Sequence, residues 1–138
     1  MKYQELIERL RVEVGDGNAI FCEVLMEVMP GWETPGAAQL RDLWAAGGRI
    51  DAALALYAYA LPGWSAYELS FDKQLGRCMA YVEEDLEAPR FHGYYFKSRK
   101  ETEIDRRQAS HPCFALLMAI LRAVDAERAK PKSDKPKE

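Results

Sequence analysis

The sequence predicts an α+β fold: a helical N-terminal part, a three- to four-stranded antiparallel sheet packed by helices, and a long C-terminal helix. Three patterns carry this expectation. Apolar residues recur at helical spacing from Tyr3 to Leu61. Between Ser65 and Lys97 the spacing changes to alternation, the period of a half-buried strand. From His111 onward the chain is apolar around most of a helix circumference, which marks a central packing element.

Each element has local signals. A first helix is predicted over about Tyr3–Val14, with Leu6, Ile7, Leu10 and Val14 on one face and Gly15 as its stop. Asp16 or Asn18 is expected to cap a second helix by accepting from its free amides. Ile20, Phe21, Val24, Leu25 and Val28 give that helix its apolar face, and Met29-Pro30-Gly31-Trp32 ends it. Thr34-Pro35 starts a third helix, whose buried stripe is Leu40, Leu43 and Trp44 and whose stop is Gly47-Gly48. A fourth runs from about Ile50 to Leu61, with Ile50, Ala53, Leu54, Tyr57 and Leu61 expected on its buried side. Its many alanines keep it slim, and Pro62-Gly63 closes it.

Strands follow. In Ser65–Asp72, Tyr67, Leu69 and Phe71 alternate with Glu68, Ser70 and Asp72. After a turn at Leu75-Gly76, Arg77–Glu83 puts Cys78, Ala80 and Val82 on one face and Met79 and Tyr81 on the other. Glu83, Glu84, Asp85 and Glu87 read as a solvated acidic loop. Phe91–Lys97 is a third, aromatic strand, and the short links make the three an antiparallel meander. The charged stretch 98–108 reads as a loop or as a lengthened sheet edge. Ser110-His111-Pro112 opens the last helix. Residues 1–126 are thus one domain, with a helical part over 1–49, and the Lys/Pro-rich 127–138 is expected to be a disordered tail.

Composition narrows the function classes. The longest apolar run, Ala52–Leu61, is about half a bilayer span. Tyr3-Gln4-Glu5 directly after Met1-Lys2 leaves no room for the apolar stretch of a secretory leader, so a cytoplasmic location is expected. Cys22, Cys78 and Cys113 are odd in number, far apart and set among apolar neighbours. They read as buried free thiols rather than as disulfides or a zinc site. No phosphate-binding glycine loop occurs, and Ser110, His111 and Cys113 lack the third member a nucleophile site needs. No catalytic residue, metal site or cofactor is therefore expected. Net charge is −3 overall, but −8 over residues 1–89 and +5 over 90–138.

One region combines recognition chemistry. Arg90, Lys97, Arg99, Lys100, Arg106 and Arg107 accompany Tyr94, Tyr95 and Phe96, so cations and stacking rings fall on one stretch. Glu101, Glu103 and Asp105 interrupt the cations. Trp32, Trp44 and Trp64 near helix ends are candidate anchors for a protein partner. The Met29–Trp32 and Leu61–Trp64 segments share Pro-Gly-Trp, which reads as one helix-stop device used twice.

Ile50-Asp51-Ala52-Ala53-Leu54-Ala55-Leu56, the Leu61-Pro62-Gly63-Trp64 turn, and the helix from His111-Pro112-Cys113-Phe114 to Leu121-Arg122-Ala123 form an ordered set. With the strands between them they resemble the small "ABA sandwich" proteins of tailed phages and prophages over about residues 50–124. The resemblance implies a fold and a phage origin, and no catalytic residues. The charged stretches 83–90 and 97–108 and the helices before residue 50 depart from the family's pattern.

The function expected from all this is a small non-enzymatic phage or prophage accessory protein in the host cytoplasm. It would bind another protein, modulating or inhibiting a host defence system. The alternative is a single-stranded nucleic-acid-binding module using the 90–107 face. No membrane partner is expected; if residues 98–107 extend a strand at the sheet edge, edge-to-edge homodimers through that stretch are a further expectation.

Overall fold

The computed structural model describes residues 2–13, 17–29, 35–64, 66–72, 77–85, 87–96 and 111–129. Helices α1 (Lys2–Val12), α2 (Asn18–Val28), α3 (Pro35–Ala45) and α4 (Arg49–Ala60) precede strands β1 (Ala66–Asp72), β2 (Arg77–Glu83) and β3 (Arg90–Phe96). Helix α5 (His111–Ala129) closes the fold. The sheet has the order β1-β2-β3, antiparallel throughout. The fold class is α+β, with α5 packed on the sheet.

Helix α5 is the centre. Every residue from Cys113 to Leu121 is buried. The sheet takes one side of it, and α1 and α4 pack on others. Trp44 of α3 reaches in, stacked on Phe21 of α2 at 4.2 Å between ring centroids and on Phe114 of α5 at 6.5 Å. Helix and sheet meet where Gly93 lies under α5. A Cβ at Gly93 would stand 2.0 Å from the Ala115 carbonyl oxygen and 2.8 Å from Met118 Cβ. Only a residue without a side chain permits that approach.

Alternation then assigns the two faces of the sheet. Cys78, Ala80 and Val82 of β2 are buried, as are Gly93 and Tyr95 of β3. Register puts Leu69 opposite Ala80, and Ala80 opposite Gly93, on this covered face. The Tyr95 hydroxyl donates to the Glu13 carbonyl at the end of α1. Arg122 of α5 donates to the His92 carbonyl at 2.6 Å.

Several local expectations are corrected. The cap of α2 is neither Asp16, which lies outside the described residues, nor Asn18, which is the first helical residue. It is Gly17, left-handed at φ 73° and without a side-chain cap. A Cβ there would meet Phe114 Cε1 at 2.5 Å, so contact with α5 and backbone conformation both select glycine. Helix α1 ends at Val12, which is 74% exposed, and Val14 lies outside the described residues. Ala53, Tyr57 and Leu61 are buried as expected and Leu54 packs partly buried on the core, but Ile50 is exposed, and Ala52 and Leu56 join the buried side of α4. Packing against both α3 and α5 widens the buried arc.

Helix α5 continues past residue 126, to Ala129. Arg128 explains the extra turn. It donates to the Glu27 and Val28 carbonyls at the end of α2, at 3.1 and 2.8 Å, and to the Tyr3 hydroxyl. These carbonyls have no partner within α2, so the guanidinium supplies one and ties three helices together. Residues 97–110 and 130–138 lie outside the described residues, and with them Thr34, Ser110 and the third Trp, Trp32.

Gly93→Ala is expected to destabilise the protein by roughly 3 kcal/mol, since the new methyl meets the helix backbone and the fixed Cβ of Met118 rather than the far end of a flexible side chain. Urea unfolding of the variant beside the parent measures it.

Candidate functional site

The second face of the sheet carries the rest of each strand. Register lines up Glu68, Tyr81 and His92 across the three strands, and Ser70, Met79 and Tyr94 in the next row. Glu83 and Arg90 face each other at one end of β2 and β3. Among the described residues, the helices that touch the sheet do so on the Ala80–Gly93 side, and Tyr94 stands 45% exposed on this one.

The side chains form a connected patch. Tyr81 and His92 rings lie 5.8 Å apart across the strands. His92 and Tyr94 are also 5.8 Å apart and nearly parallel, at 8°. The Tyr81 hydroxyl donates to Glu68 Oε1 at 3.1 Å. Loss of solvent around the phenol, and then this bond to a carboxylate, raise the Tyr81 pKa above the usual phenol value. Arg90 lies 4.4 Å from the Tyr81 ring centroid, a cation–π contact.

Arg90 also holds Glu83, donating from Nε to Oε2 at 3.1 Å. Glu83 ends β2, as the strand pattern predicts, but it does not share the solvation expected of the acidic residues that follow: it is only 3% exposed, and cross-strand pairing with Arg90 makes that burial tolerable. Glu84, Asp85 and Glu87 do remain exposed, with the Glu87 amide donating to Asp85 Oδ1 at 2.9 Å. Behind the patch, Tyr57 of α4 is buried and feels the Glu83 charge. Burial first, and that charge second, push its pKa up to about 12.

Of the residues singled out in the sequence, Arg90 and Tyr94 come together on this face. Lys97, Arg99, Lys100, Arg106 and Arg107 lie outside the described residues. Tyr95, grouped with Tyr94 by sequence, points the other way into the core. The Phe96 side chain is not among those described. Met79, Tyr81, His92 and Glu68 complete the patch and were not singled out. Their signal is parity: each pairs across the register with Tyr94 or with another member of the same face.

Of the candidate anchors, Trp44 and Trp64 belong to the core, and Trp32 lies outside the described residues. Trp44 is fully buried, and Trp64 is partly buried against Phe91 at 6.0 Å between centroids. Cys78 and Cys113 are buried and Cys22 is half-buried. Burial pushes the Cys113 thiol up to about 12, so it is protonated at neutral pH and is a poor nucleophile. Among the described residues, no group of three or more His, Cys, Asp or Glu is arranged to hold a metal ion. Nor is any helix among them long and apolar enough to cross a membrane. No family model, curated protein or solved structure matches the chain.

Two measurements check these environments. A thiol reagent at neutral pH should modify Cys22 in the native protein and reach Cys78 and Cys113 only after unfolding. For Tyr57, a folded value of about 12 against 10.0 means the folded state resists its ionisation. The stability linked to Tyr57 is therefore complete below pH 10 and is lost as pH rises toward 12. Tyr57→Phe should flatten that alkaline fall in denaturation midpoint relative to the parent.

Proposed function

We propose that this chain is a non-enzymatic protein-binding module whose partner docks on the open face of the sheet. The patch itself supports this. Tyr81, His92, Tyr94 and Met79 present broad, partly exposed side chains on a rigid strand framework. Tyr, Met and Arg are enriched at protein interfaces, and two-torsion aromatic rings lose little entropy on docking. Charge on the patch is balanced rather than basic: Arg77 and Arg90 stand against Glu68 and Glu83 on this face, and Arg90 is engaged by Glu83. A phosphate-binding face would show a cation surplus there.

A second reading is favoured by one observation. The parallel His92–Tyr94 pair beside Arg90 is the arrangement on which single-stranded bases stack. In that reading Lys97, Arg99, Lys100, Arg106 and Arg107 would grip the phosphates. The resemblance over residues 50–124 supports the remaining part of the proposal. The chain would be a phage or prophage accessory protein, acting in the cytoplasm of its host on a host protein that it modulates or inhibits.

Affinity capture from a bacterial lysate, with and without nuclease, followed by identification of what is retained, tests both readings. The expected result is a stoichiometric protein that survives nuclease. Tyr94→Ala and His92→Ala should each weaken its capture about tenfold, with the fold intact because both side chains lie on the open face. Capture indifferent to both variants overturns the docking face. Loss of every partner on nuclease treatment transfers the function to nucleic acid.

A further inference from the structure

The two edges of the sheet are not alike. At β3, Arg122 occupies the His92 carbonyl and α1 lies alongside, with Tyr95 bonded to Glu13. At β1, the described residues show pairing with β2 and with nothing else. Natural edge strands are usually blunted by proline, charged side chains, a bulge or shortness. Strand β1 has no proline, lysine or bulge, and its only charges are the carboxylates Glu68 and Asp72, which restrict the register of a partner strand without closing the edge. Seven consecutive residues, Ala66-Tyr67-Glu68-Leu69-Ser70-Phe71-Asp72, run in unbroken register with β2.

We infer that a second copy of this chain pairs antiparallel along β1, about a dyad at Leu69. The register follows from charge and parity. Residues opposed across a ladder must share a face, so the dyad falls on a residue. Centred on Glu68, the pairing sets Glu68 against Glu68 of the second copy. Centred on Ser70, it sets Glu68 against Asp72. Centred on Leu69, it sets Leu69 on itself, Tyr67 opposite Phe71, Ala66 opposite Asp72, and Glu68 opposite Ser70. Of the three, only this last arrangement opposes no like charges and lets a hydroxyl face each carboxylate. Twofold self-pairing is also the commonest route to a closed oligomer. The product is a six-stranded sheet ordered β3-β2-β1-β1-β2-β3. It joins two Tyr81–His92–Tyr94 patches on one continuous face. The inference rests on the β1 edge alone and not on what the patch binds.

Sedimentation equilibrium from micromolar to millimolar protein tests it. The expected result is a reversible dimer. Ser70→Glu, which enters twice across the dyad, should weaken it about tenfold, and Ser70→Lys should tighten it. In a Cys22→Ser background, Leu69→Cys should cross-link to itself on mild oxidation, because directly opposed strand positions lie within disulfide reach, whereas Tyr67→Cys should not. A chain that stays monomeric at millimolar concentration overturns the inference and leaves the edge to a strand of another protein. So does a dimer that ignores both Ser70 variants and fails to cross-link at position 69. Thermal unfolding of each variant separates lost pairing from lost folding.

Discussion

The approach of α5 to Gly93 sets the terms for the rest of the molecule. With no Cβ at that position, helix backbone and strand backbone come nearly into contact, and the Ala115 carbonyl occupies the space a side chain would need. That closeness fixes the rotation of α5. Its long apolar circumference then requires cover on its other sides, which the N-terminal helices provide through Trp44, Phe21, Leu6 and Leu10. Gly17 repeats the device at a second point, where the residue before α2 lies against Phe114. Two glycines thus let a strand and the start of a helix approach α5 closely.

Among the described residues, the longest helix covers one face of the sheet and leaves the other face to different work. A three-stranded sheet with helices on one side is stable, because antiparallel strands tolerate a solvated face. What stands on that face is then selected less by packing than by what it meets. Here it is three rings, a methionine and an ion pair, where an ordinary solvated face would carry threonines and lysines. The acid of that ion pair, Glu83, is buried. This makes Arg90 both a structural counter-ion and the cation nearest the rings. One residue thus couples the integrity of the sheet end to the chemistry of the patch.

The amino-acid sequence by itself determined the helices, the three strands, their antiparallel order and the central role of the last helix. Each follows from a local cause: apolar period, glycine and proline stops, and short links that permit only hairpins. It also placed Arg90 and Tyr94 in a candidate surface, because both chemistries are visible in composition. Tertiary structure decided the rest. Parity alone cannot say which side of a strand a helix will cover, so Tyr94 and Tyr95 looked equivalent until Gly93 and α5 chose between them. Glu83 looked like part of an acidic loop until cross-strand register gave it Arg90. The buried side of α4 widened to take in Ala52 and Leu56 because two neighbours, not one, pack on it. Arg128 looked like the start of a tail until the carbonyls at the end of α2, a hundred residues earlier, proved to be its acceptors. The partners range from the next strand, seven residues on for Glu83, to a helix end a hundred residues away for Arg128, but each meets its residue only once the chain closes, and local propensity carries no information about such a contact.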